Sequence, residues 1–193
     1  MKTAWFNEPR LKDAAMDRLR EDRRLDRIVQ RSYWGEGKGC HLGCLTRSDA
    51  VSAHAATERL FGIPVRVAYW LEAVFEGLPS DECERWVIES TEAIPVGADM
   101  SLAHHHLVEW LLGPGSPSAE GNSNDTVACD VARIRELHSR SSQGEVIPES
   151  EWSAAVKLAW SAAEWSEEWS AKSAAWSAAW AASAAAASAG AGA

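Results

Sequence analysis

Apolar residues along this chain recur at helical spacing and nowhere alternate with period two, so an all-α fold is expected. Leu11, Met16, Leu19, Leu25 and Ile28 supply one side of a first helix, from about Pro9 to Arg31. Ser48 or Asp49 can cap a helix ending near Phe61, with Gly62 in the C′ position. Pro64, where a missing N–H costs nothing, opens a helix that carries Val67, Trp70, Leu71 and Phe75 and ends at Gly77. Another helix spans about Asp81 to Glu92 and is closed by Pro95. Asp99 or Ser101 caps the next, which runs through His104, His105 and His106 to Leu112 and stops at Gly113 and Pro114. The stretch 113–126, GPGSPSAEGNSNDT, is the clearest loop, and a helix from about Val127 to Ser139 follows it. The expected organisation is a helical globular domain over about 1–140, with that loop inside it, and a long C-terminal helix over 148–193. The helix end after about residue 188 is expected to be disordered.

The last segment has its own period. Residues 165–175 read WSEEWSAKSAA and residues 176–186 read WSAAWAASAAA, so Trp165 and Trp169 recur eleven positions later as Trp176 and Trp180. One repeat earlier the equivalent positions are Ala154 and Leu158. At 100° per residue the four tryptophans form one stripe, and 3.67 residues per turn favours straight or slightly right-handed packing. Together they expose about 600–1,000 Å² if uncovered, more than the roughly 300–600 Å² patch usual on a soluble monomer. The helix of about 40 residues is about 60 Å long, beyond the about 40 Å diameter of its own domain. Self-association through residues 152–183 is therefore the expected cover, with docking onto the host domain or a protein partner next. From Ser173 to Ala193 there is no charge, but Leu, Ile, Val and Phe are also absent, so membrane anchoring is the third reading.

Charge narrows the partners. A net charge of −9 argues against nucleic acid, because phosphate binding is driven by Lys and Arg. Residues 1–31 depart from this, with nine Lys/Arg against six Asp/Glu. Their alternation at helical spacings reads as a solvated face laced with ion pairs. Four cysteines are too few and scattered for a disulfide scaffold, and the N-terminus does not resemble a secretory signal. A cytoplasmic protein of a bacterial host, with reduced thiols, is the expectation.

Candidate chemistry centres on GCHLGCL. Cys40, His41 and Cys44, with His54 downstream, form the one cluster resembling a metal site, and zinc is the ion they would take. The C-x3-C spacing is less typical than C-x2-C, and the simpler reading makes both cysteines core residues beside Gly39 and Gly43. The same three residues are the catalytic candidates: a thiol near Lys38 and His41 would have a lowered pKa. Glu72 and Glu76 form an i,i+4 carboxylate pair suited to a metal or to acid–base work, with solvent-facing acids as the simpler reading. Consecutive His104, His105 and His106 point about 100° apart, so at most two could share a site. The loop GEGKG lacks the full phosphate-cradling pattern. No cofactor is required by any of these patterns.

GKGCHLGCLTRSD (37–49), ERLFGIPVRVAYWLEAVFEGLP (58–79) and EAIPVGADMS (92–101) together resemble a family of bacterial and phage proteins with no assigned activity. Its members combine a K-G-C-x-x-G-C segment, a G-I-P…F-E-G-L-P segment and an Ala-rich repetitive tail. The resemblance covers about residues 27–112 and implies a shared fold and a phage or mobile-element setting. Relatives carry His a few residues after the second Cys. This chain has Arg47 there, which removes a natural third metal ligand. The sequence thus predicts a non-enzymatic binding or assembly protein whose contact residues are Leu158, Trp165, Trp169, Trp176 and Trp180. A small thiol- or metal-dependent enzyme at Cys40/Cys44 is the alternative.

Overall fold

The computed structural model describes residues 3–49, 52–113 and 125–165. Over them the chain forms α1 (Pro9–Arg24), α2 (His41–Thr46), α3 (Ala53–Phe61), α4 (Val65–Gly77), α5 (Ser80–Glu92), α6 (Ala103–Leu111), α7 (Asp125–Ser142) and α8 (Glu149–Trp165). Among the described residues there is no strand, only isolated bridges, so the chain is all-α there. None of these helices is long and apolar enough to cross a membrane. Contacts divide the chain into two units, Met1–Ser101 and Leu102–Ala193; α6 and α7, which the sequence groups with the globular domain, fall in the second.

In the first unit, α2 is the centre: all six of its residues are buried. It can sit so deep because Gly43 has no side chain. A Cβ there would come within 2.7 Å of the Trp34 backbone nitrogen. α1 buries Ala15, Met16, Leu19 and Asp22, a helical stripe, and α5 buries Cys83, Val87 and Thr91. Trp5 is fully buried, donates its indole N–H to the Ile94 carbonyl at 3.0 Å and packs on Phe61.

The first helix stops seven residues short of Arg31. Asp26 takes a left-handed conformation (φ 50°), its N–H bonds the Arg23 carbonyl, and the Arg27 N–H bonds that of Asp22. This is the 6→1 and 5→2 pairing that normally uses glycine to end a helix. The chain then makes an excursion over 25–40, closed where Val29 and Gly39 share backbone bonds with Gly39 and Arg27. At its tip Gly35 and Lys38 exchange both backbone hydrogen bonds across a two-residue turn. The Gly35, Lys38 and Gly39 N–H groups are thus spent within a hairpin.

In the second unit α7 packs against both α6 and α8. α7 buries Ile134, Leu137, His138 and Ser141; α6 buries Val108, with Leu112 at its C-cap also buried, and α8 buries Trp152 and Ala155. Arg140 holds the turn between α7 and α8 by pairing with Glu145 and, at 3.0 Å, with Glu151. Leu158 is 42% exposed and Trp165 closes α8. Trp169, Trp176 and Trp180, with the repeat they define, lie outside the described residues.

Candidate metal centre

The 25–40 excursion and α4 build the site together. Gln30 donates its amide to the carbonyls of Phe75 and Leu78, both at 2.9 Å, which ties the loop to the open C-terminal end of α4. The next residue, Arg31, is left-handed (φ 63°), and its backbone N–H reaches both Glu76 oxygens at 3.1 and 2.9 Å. Tyr33 follows, and its hydroxyl donates to Glu72 Oε2 at 2.9 Å. Cys40 ends the excursion, with its thiol on Glu72 Oε1 at 3.5 Å. From α3, His54 Nε2 lies 2.6 Å from Glu72 Oε2, a close contact without the alignment of a hydrogen bond. The His54 ring stacks on Tyr69, with centroids 3.8 Å apart.

Glu72 is thus the hub, approached by three side chains from two segments, the excursion and α3. Its side chain is only 12% exposed, so the solvent-facing reading of this carboxylate is corrected. Sγ of Cys40 and one carboxylate oxygen each from Glu72 and Glu76 lie within 4.8 Å of one another. One wall of a cavity of about 450 Å³ is formed by Glu72 and Glu76, and Arg31, Ser32, Tyr33 and Tyr69 line the rest.

The electrostatics correct the nucleophile expectation. Burial pushes the Cys40 thiol up to about 12, and the Glu72 carboxylate adds to the rise. Burial first, then Glu72, likewise raises the Tyr33 hydroxyl. His41 cannot lower the thiol, because it is a core residue: fully buried, with Nε2 2.9 Å from the Thr91 hydroxyl and its pKa depressed to about 4 by burial. An unassisted Cys40 therefore stays a thiol at neutral pH. A bound cation would invert this, since a coordinating thiol is deprotonated outright.

The sequence pairs Cys40 with Cys44; the structure gives them different partners. Cys44 donates to the Gly39 carbonyl at 3.2 Å, and burial followed by Asp22 raises it to about 12. It is one of the core cysteines of the simpler reading. Glu58 of α3 accepts from the Val65 N–H at 3.0 Å. Arg47 ends α2 in a left-handed conformation, pairs with the fully buried Asp22 at 2.8 Å and lies 3.6 Å over the Trp34 ring. Tyr33 and Tyr69 carried no sequence signal, because only the tertiary fold brings them to α4 and His54.

Of the three consecutive histidines, His104 is buried, His105 is half-buried and His106 is exposed. His104 and His105 both approach His138 within the second unit. Comparison of the chain with protein-family models, curated proteins and solved structures finds no match.

Proposed function

We propose that the first unit is a metal-dependent catalytic module whose ion is held by Cys40, Glu72 and Glu76. The observation that carries this is the convergence of one buried thiol with two carboxylates that line an open cavity. The donor set, one soft sulfur and two hard oxygens, suits a borderline divalent ion such as zinc. The three ligand atoms lie within 4.8 Å of one another, Cys40 Sγ and Glu72 Oε1 already at 3.5 Å, so small side-chain rotations reach the roughly 3–4 Å ligand separations around one such ion.

Three protein ligands leave a coordination position toward the cavity, the arrangement of catalytic rather than structural sites. The ion would polarise a carbonyl or phosphoryl oxygen and activate water, so the reaction class is hydrolysis of a small substrate. Tyr33 and His54 hold Glu72 in orientation, and the Arg31 backbone holds Glu76, as outer partners of metal ligands do. Cobalt(II) titration tests the centre: a thiolate-to-cobalt charge-transfer band should appear and vanish in Cys40→Ser. No band in the wild-type chain overturns the reading. Metal-dependent hydrolysis of an activated ester, lost in Glu72→Gln, tests the chemistry.

Assembly through the C-terminal helix is the second reading. It is favoured by α8 continuing helical to Trp165 with Leu158, a position of the eleven-residue register, left exposed. Light scattering tests it: a monomer for the full chain, unchanged on deleting residues 166–193, would remove it.

A further inference from the structure

The cavity in front of Glu72 and Glu76 carries one cation that the metal centre leaves unused. Among the described residues that line it, only Arg31 is basic. Its backbone is held on both sides. Gln30 donates to the Phe75 and Leu78 carbonyls and accepts from the Ser80 hydroxyl at 3.3 Å. The Arg31 N–H itself spans both Glu76 oxygens, and two residues on Tyr33 is tied to Glu72. The guanidinium therefore springs from a fixed point on the cavity wall.

The side chain of Arg31 is exposed, and among the described residues it enters no ion pair and no side-chain hydrogen bond. The two nearest acids do not draw it in, because each is aimed at other donors. Glu76 faces the Arg31 backbone, and Glu72 faces Tyr33 and Cys40. A guanidinium offers a planar fork of N–H donors that matches a carboxylate. Here that fork opens on the cavity unfilled.

Charge limits what can fill it. With the Cys40 thiol ionised, the three ligands carry three negative charges and a divalent ion two positive ones. The loaded centre keeps one negative charge, which disfavours a doubly charged phosphate. One guanidinium balances one charge, so the matching ligand is a monoanion. The cavity of about 450 Å³ is the size of a small-molecule site, and Tyr33 and Tyr69 give it aromatic surface for a short carbon chain.

We propose, building on the metal-centre reading above, that the substrate is a short-chain ester or amide bearing one carboxylate, and that Arg31 receives this carboxylate. Hydrolysis needs no further reactant: the hydroxyl of water goes to the acyl carbon, the acyl bond breaks, and the proton leaves with the alcohol or amine. Arg31 sets which molecules enter and takes no part in the bond change.

Monomethyl succinate and dimethyl succinate share a skeleton and differ by one charge, which makes them the probes. Zinc binding to the full chain is measured first by calorimetry, and the zinc-loaded chain is then titrated with each ester. The wild type should bind the monoanion about tenfold more tightly or better. That preference should fall by about fivefold or more in Arg31→Gln, and Arg31→Lys should keep part of it. A wild-type preference below this, or one that survives in Arg31→Gln because the carboxylate sits on zinc itself, overturns the role of Arg31 and leaves the metal centre standing. A chain that binds no zinc removes both. If Arg31→Gln does not fold, the Nε–H resonance of Arg31 in the zinc-loaded wild type decides. It should shift with monomethyl succinate and not with dimethyl succinate, and an unmoved resonance contradicts the proposal.

Discussion

Replacing Arg47 by alanine should destabilise the first unit by about 3 kcal/mol. Asp22 is fully buried, and both of its oxygens lie within 2.9 Å of Arg47 Nη2. Stripping one partner from a buried pair costs roughly 3–5 kcal/mol, because the remaining charge is left uncompensated. Two features pull the figure down: Arg27 Nη1 still stands 3.7 Å from Asp22, and the Arg47 side chain is itself 27% exposed. One pushes it back up, since the guanidinium over Trp34 adds about 0.5–1 kcal/mol. Lysine restores charge but not the planar stack on Trp34, so Arg47→Lys should recover only about half the loss. Urea unfolding followed by exchange of peptides from residues 3–101 reads this unit alone. A double-mutant cycle with Asp22→Ala should return a coupling above about 1 kcal/mol. A loss below 1 kcal/mol for Arg47→Ala, or a coupling near zero, would refute the structural role of this arginine.

Gly43→Ala places a Cβ 2.7 Å from backbone nitrogen of Trp34, which cannot swing aside as a side chain could; the overpacking should cost about 2–3 kcal/mol in the same exchange assay. His41 gives a pH dependence: its folded pKa of about 4 lies below its unfolded value near 6.5, so the unfolded chain binds the extra proton. Stability should fall as pH drops from 6.5 to 4, by up to about 3 kcal/mol, and a folded His41→Gln variant should lose that slope. Native thiol titration at pH 8 without metal should find one fast cysteine, exposed Cys129, while Cys40, Cys44 and Cys83, all buried with raised pKa values, react at least tenfold more slowly.

Much of the helical layout is legible because local signals agree. Pro64 precedes α4 and Gly62 ends α3 with φ 67°. α1 is misjudged by a helix cap that uses Asp26 where pattern reading looks for glycine. The site is legible only in pieces. Cys40 with His54 reads as one metal hypothesis and Glu72 with Glu76 as another, and nothing local joins them. What joins them is Gln30 on the end of α4, a contact 45 residues apart in sequence. The same limit explains Cys44: like Cys40 it follows a glycine, but the turn at the start of α2 sends it to Gly39 and the Asp22 side of the core. His104 and His105 are legible as candidates, while their partner His138 stands 33 residues away.

The central claim is that Cys40, Glu72 and Glu76 close on one ion. Calorimetric titration of the purified full chain with zinc at pH 7.5, in buffers of different ionisation enthalpy, tests it most directly. One ion should bind per chain, with release of about one proton, because the Cys40 thiol must ionise to become a ligand. Affinity should fall at least 100-fold in Cys40→Ala and in Glu72→Gln. Binding without proton release, or binding unchanged in both variants, would contradict the account.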